Sequence, residues 1–509
     1  MASLIRYGLL FLAFGGGFAA LAASQPYGGM LFAVLCLWGA NMVYALEKLR
    51  ERILFFWFHV TLFTFLIGRP VIGALRGELW WDYGHENVMF ALMSLILTLV
   101  FLHLGALLGN QWSLRRREAA GWGLWEQKGF CYYFGWVSQI IFYLSLVFTF
   151  MLGMEKVVYI QTHTYYEYFS DFKSQLPYVV YELSTLTKYS LCFFLACMPR
   201  KSLAFPVLAL YVLSAVPELI VGERNPIVLN AIFALSYYVI RDFFQVERET
   251  DGHAKAVNSR TVDFADGQPE KPGQPEKPWL GTLEKGALLL AVPLGLILLG
   301  AMNYLREGQG MEGGMNPAAI IADLFYKQGV SFKWLALGYG AMPFLPHNGF
   351  TNYTFGSFID YFCNGSIAQK FFGAVSLGSS NSLLKAQMGN NFSHHLSYIL
   401  LGDEYLAGHG CGSSYLLEVF ADYGYLGIVV FSLILGLLLV CAPRLAGKNA
   451  VLFSIILLCM TNLFLIPRAE ATGFLQFVLT MQFWAAFVIC CGGALILSHK
   501  FYPRKGRIR

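Results

Sequence analysis

Charge is what this sequence has least of. Only 13% of its 509 residues are Asp, Glu, Lys or Arg, about half the share in a typical soluble domain, which excludes a fold whose main boundary is water. The 36 Lys and Arg against 31 Asp and Glu leave a net charge of +5, and no nucleic-acid partner is expected. Paired cysteine spacings of the kind that hold metal are also missing. Cys36, Cys131, Cys192, Cys197, Cys441, Cys459, Cys490 and Cys491 lie in or beside apolar runs, where cysteine acts as a small buried hydrophobe. They carry no assigned chemistry.

What the chain has instead is apolar length. Hydrophobic residues make up 57% of it, in repeated runs of roughly 20 residues that match the hydrocarbon slab of a bilayer. The expected fold class is all-α, a polytopic membrane protein. Twelve spans are predicted, at about 4–23, 29–46, 53–68, 87–109, 130–152, 178–198, 203–221, 226–243, 283–301, 415–441, 449–466 and 474–498. The first run lacks a small-residue cleavage site and is followed at once by another span, so it reads as a retained helix.

Basic residues flanking spans are held on the cytoplasmic side. With the N-terminus inside, the inner loops collect Lys48, Arg50 and Arg52, then Arg115, Arg116, Arg117 and Lys128, then Arg200 and Lys201, then Arg444 and Lys448, and the tail Lys500 to Arg509. An even number of spans puts both termini inside. The expected organisation is eight helices over 1–240, a disordered cytoplasmic linker over 241–282, a span at 283–301, a large outer loop over 302–414, and three helices with a basic tail over 415–509. The linker holds the tandem hexapeptide Gly267-Gln268-Pro269-Glu270-Lys271-Pro272 and Gly273-Gln274-Pro275-Glu276-Lys277-Pro278, too rich in proline for helix and too polar for a core.

Three outer segments bring ionisable residues together with glycine and proline. Glu155 to Pro177 is aromatic and acidic, a composition that suits sugar stacking or interfacial anchoring equally. Gly222-Glu223-Arg224-Asn225-Pro226 joins two spans, with Asn225 a good N-cap and Pro226 suited to the first helical position; the next helix is expected to start there beside Arg224. The third, from Asn303 to about Ser414, is far longer than an ordinary connection. Its phenylalanines supply enough apolar surface to pack, and short helices are expected near 317–340 and 357–375. It holds four of the ten His residues (His347, His394, His395 and His409) and Arg306, and the two cysteines expected on the outer side, Cys363 and Cys411, fall in it and could pair there.

This loop ends in Gly408-x-Gly410-x-Gly412-Ser413-Ser414, a flexible turn feeding a helix, with Ser413 or Ser414 as the cap. Glu418 and Asp422 follow four residues apart, on one helical face and costly unless something polar lies opposite. The continuous string Gly408 to Gly427, with Gly222-Glu223-Arg224-Asn225-Pro226 upstream and Pro467-Arg468-Ala469-Glu470 downstream, resembles the O-antigen polysaccharide polymerase (Wzy) family of bacterial membranes. A looser likeness reaches the wider O-antigen ligase group.

The resemblance implies a fold similar to the C-type membrane glycosyltransferases. It implies an enzyme of the bacterial inner membrane that takes a growing glycan from undecaprenyl pyrophosphate and transfers it to a new lipid-linked repeat unit at the periplasmic face. Its partners would be the lipid-linked glycan, membrane lipid and a polysaccharide chain-length regulator. The resemblance implies no metal and no cofactor, and the absence of Asp-x-Asp from the outer loops agrees with that. On physical grounds, cleaving a sugar to pyrophosphate bond needs cations for the leaving group, and Arg224, Arg468 and Arg306 are the candidates. The attacking hydroxyl needs a base, and here the candidates are Glu418, His394, His395, Asp422 and Glu470, with His347 and His409 behind them.

Two other functions remain in view, a ligase and a lipid-linked sugar flippase. A flippase would place its polar residues at mid-membrane and show two similar halves. Here Lys188, Glu182, His59 and His103 are the main ionisable residues within spans, no internal repeat is found, and one outer loop is grossly unequal to the rest.

Overall fold

A computed structural model describes residues 2–22, 26–78, 81–115, 128–163, 167–168, 172–250, 278–306, 316–346, 351–378, 381–447 and 449–501. The chain is all-helical over these residues, and eleven of its helices are long and apolar enough to cross a membrane. The expected span at 178–198 forms the helix Tyr178–Ala196. Glu182, Ser184, Thr185, Thr187 and Lys188 dilute its apolarity, and it is not among the eleven.

Three boundaries differ from expectation. The last span starts at Met481 and not near 474, because Gly473–Leu479 winds as a 3-10 turn and Thr480 turns extended before the helix begins. The span from Ile53 runs on to Leu75 through a π-helical stretch at Phe63–Ile67. The helix from Asn225 continues to Thr250, so the first ten residues assigned to the linker are helical. Arg241, Asp242, Phe243 and Phe244 are buried there, and the Arg241 guanidinium lies 4.6 Å from the Trp279 ring centre. The tandem hexapeptide lies outside the described residues.

The closest pairing is between His85–Arg115 and Tyr415–Ala446. Gly105 and Gly109 stand one turn apart on the first helix and Gly436 on the second. A Cβ at Gly105 would fall 2.0 Å from the Leu433 carbonyl oxygen, and one at Gly436 would fall 2.2 Å from that of Leu102. Small residues let the two backbones touch, which is how helices associate where lipid removes the hydrophobic drive. The partner helix is itself broken: Gly424 has φ 62° and ψ −156°, a conformation open in practice only to glycine. Tyr415 to Tyr423 is thereby a separate short helix, re-aimed relative to the membrane span that follows.

Ion pairs separate the two ends of the bundle. At one end Glu51 meets Arg444 and Lys48, and Arg50 meets Asp242 at 2.7 Å. At the other, Arg76 pairs with Asp323, and the Arg69 guanidinium lies over the Tyr326 ring. Those contacts hold the long inter-span segment on the bundle. The segment itself is built of short helices, including Pro317–Gln328, Ser331–Ala341, Gly356–Asn364, Ser366–Phe372 and Phe392–Leu401. The first four fall on the stretches where short helices were expected. Cys363 is exposed and Cys411 buried, and both are free thiols, so the pairing considered for them does not occur.

Candidate functional site

Three turns converge at this end of the bundle. One precedes the helix Phe392–Leu401, whose N-cap Asn391 accepts from the Ser393 amide at 3.0 Å. The second is the glycine turn before Tyr415, where Ser414 is the N-cap. The third follows the helix Ala450–Leu463, where Ile466-Pro467-Arg468 forms one 3-10 turn and Ala469 swings extended. Between them lies a cavity of about 310 Å³ that Ser393, His394, Ser413, Asn462, Arg468, Glu470 and Gln476 line.

Of the residues predicted from sequence, this cavity gathers Arg468, Glu470 and His394. Arg468 comes off the 3-10 turn, and its Nη1 donates to Gln328 Oε1 at 3.2 Å. The Asn391 amide donates to Glu470 Oε1. Burial pushes the Glu470 carboxyl above its ordinary range and the Asp360 carboxylate adds to this, against the hydrogen bonds from Ser357 and Asn391. His394 Nδ1 sits 3.0 Å from the Tyr405 hydroxyl. That hydroxyl is also placed to donate to the Ser382 carbonyl at 3.3 Å, an arrangement in which Nδ1 carries the imidazole proton and Nε2 keeps the lone pair. Burial, with help from Lys385 and His395, lowers the His394 pKa to about 4, and the ring is neutral at pH 7.

The other predicted bases are committed elsewhere. Glu418 is fully buried, accepting from Ser413 Oγ at 2.6 Å and from the Ala471 amide at 2.7 Å. Asp422 accepts from the Tyr353 amide at 3.0 Å and from the amide and hydroxyl of Thr354, both at 2.6 Å. Thr472 Oγ1 donates to the Thr354 carbonyl at 2.6 Å and joins the two clamps. The face expected to need polar partners has found them in backbone amides and in the hydroxyls of Ser413 and Thr354: the two carboxylates tie the glycine turn, the arginine turn and the 351–355 turn into one frame behind the cavity.

His395 is buried, and its Nε2 donates to the Gly389 carbonyl at 2.6 Å. Neither His409 nor Arg224 lines the cavity. The helix does begin at Asn225, and Arg224 Nη1 donates to the Leu299 carbonyl at 3.3 Å. Arg306 ends the helix from Thr282, with its side chain outside the described residues, as is His347.

Sequence reasoning missed Asn391, Ser393, Asn462 and Gln476. Only Asn391 carried a local signal, an Asn pair directly before an apolar helical run.

The clamp makes a measurable demand. Glu418→Gln keeps an acceptor for Ala471 and a donor for Ser413, whereas Glu418→Ala leaves a buried amide unpaired at a cost of about 1–3 kcal/mol. Thermal unfolding in detergent is expected to drop for Ala and to stay near wild type for Gln; equal losses would show that the carboxylate charge itself is required.

Chemically, the cavity offers a forked cation, a carboxylate poised to take a proton, a neutral imidazole, a hydroxyl and amide donors. That set can hold a phosphate and deprotonate a hydroxyl. A family model described as O-antigen polysaccharide polymerase Wzy matches residues 5–250 and 273–500. No match was found among curated proteins or among solved structures.

Proposed function

The chain belongs to the O-antigen polysaccharide polymerase (Wzy) family, and from that premise we propose that it polymerises lipid-linked oligosaccharide repeat units in the cavity around Arg468 and Glu470. The reaction is a glycosyl transfer. A hydroxyl of the acceptor sugar attacks the anomeric carbon of the donor glycan as Glu470 takes its proton. The bond from that carbon to the pyrophosphate oxygen breaks, and the electron pair leaves on the pyrophosphate. The products are a longer glycan on the acceptor lipid and free undecaprenyl pyrophosphate.

Arg468 is the cation for the leaving group, since its planar fork suits phosphate oxygens. His394 binds and orients the acceptor through Nε2, and Glu418 and Asp422 position the turns that carry the reacting groups. The distribution of basic residues supports a periplasmic cavity with both termini in the cytoplasm of a bacterium bearing this protein in its inner membrane. The observation that carries the reading is the convergence of Arg468, Glu470 and His394 on one cavity from turns remote in sequence.

Deleting the gene in a strain of known O-antigen is the test. Lipopolysaccharide gels are expected to lose the ladder and keep core plus one repeat. Loss of every O-antigen band would indicate a ligase or flippase.

A further inference from the structure

A second cavity, of about 510 Å³, lies among the helices themselves. Thr149, Thr187, Ser214, Tyr211 and Thr480 line it, with Lys188 as the one lining cation among the described residues. Its hydroxyls are already ordered: Thr149 Oγ1 meets Thr187 Oγ1 at 2.8 Å, and the Tyr189 hydroxyl meets Thr480 Oγ1 at 3.0 Å. The carboxylate on its wall, Glu218, faces Lys156 at 3.5 Å.

Lys188 has no carboxylate within ion-pair distance among the described residues, and its ammonium lies 5.2 Å from the Tyr189 ring centre. A cation held inside a membrane bundle is by default a candidate functional site, and an anionic ligand supplies the counter-charge that the described residues do not. The cavity also borders apolar surface, for Tyr178, Val179 and Tyr181 at the start of the same helix are exposed. A lipid chain can lie there while its headgroup enters.

The two cavities are lined from neighbouring stretches of the chain. Gly473, Phe474 and Gln476, on the 3-10 turn, line the first, and Thr480 and Gln482, where that turn passes into the last helix, line the second. Transfer between two lipid-linked sugars needs two phosphate sites within reach of one glycan.

We infer that the Lys188 cavity binds the phosphate-bearing headgroup of a second lipid, which, resting on the polymerase reading above, is the undecaprenyl pyrophosphate of the partner substrate. Lys188 supplies the charge, and the hydroxyls of Thr149, Thr187 and Ser214, whose protons go to Ser145, Ser145 and Tyr211 here, line the headgroup space as polar neighbours.

The test is native mass spectrometry of the full-length protein in detergent with undecaprenyl pyrophosphate, and with phosphatidylglycerol as competitor. Wild type is expected to hold a lipid at each cavity. Lys188→Met and Lys188→Gln are expected to bind the second lipid at least about tenfold more weakly, the first lipid staying bound and reporting a folded protein, and Lys188→Arg is expected to retain both. Unchanged affinity in both uncharged variants, a single lipid on wild type, or displacement of the second lipid by phosphatidylglycerol overturns the inference. Arg468→Ala separates the two claims. If it alone removes a lipid, the Lys188 site is wrong and the Arg468 cavity stands; if only the Lys188 variants do, the reverse holds.

Discussion

Arg468→Ala is expected to abolish the polymer ladder while leaving the protein in the membrane at its normal level. Removing a preorganised donor from a developing oxyanion typically lowers turnover by ~10²–10³-fold, and a pyrophosphate leaving group without its cation falls in that class. Arg468→Lys is expected to be nearly as damaging, because a point charge cannot make the forked pair of hydrogen bonds. Arg224 sets the contrast. It donates to the Leu299 carbonyl and does not line the cavity, so Arg224→Lys is expected to give near wild-type ladders. A full ladder from Arg468→Lys would remove that residue from the leaving-group site.

Glu470→Gln is the second large effect, an expected loss of ~10²–10⁴-fold with substrate binding retained, the range for removing a general base. Its pH dependence gives a finer readout. Burial raises the Glu470 pKa above the ordinary 4.5, and the base works ionised, so activity is expected to fall as pH drops through that raised value. The Asp360 carboxylate contributes to the elevation. Asp360→Asn therefore lowers the Glu470 pKa, and the acid limb of the pH profile is expected to move to lower pH. An acid limb that stays in place would assign the proton to another group.

The membrane architecture was legible in the sequence because it follows from local quantities. Apolar runs mark the spans, Asn225 with Pro226 marks a helix start, and the Ser413-Ser414 pair marks another, of which the structure uses Ser414. The polar helix at Tyr178–Ala196 was legible as helix for the same reason. The helical course of Arg241 to Thr250 was not, since Arg241 packs against Trp279, a contact remote in sequence.

The site was legible only as a roll of candidates. Glu418 and Glu470 are both carboxylates near glycine turns, and nothing local says which one faces open space. That is decided by Ser413 and the Ala471 amide, which close over Glu418, and by the swing of the chain at Ala469, which leaves Glu470 on the wall. Arg224 and Arg468 both sit in short turns between helices, and packing alone separates them. The cavity itself is made from segments near 391, 413 and 468, a juxtaposition that no spacing in the sequence encodes.

Purified protein reconstituted with one chemically defined undecaprenyl-pyrophosphate-linked repeat unit tests the central claim most directly. The account predicts stepwise glycan lengthening with release of one undecaprenyl pyrophosphate per bond formed, lost in Glu470→Gln and in Arg468→Ala. Lengthening that persists in both variants would contradict it, and so would a wild-type protein that leaves the repeat unit unjoined.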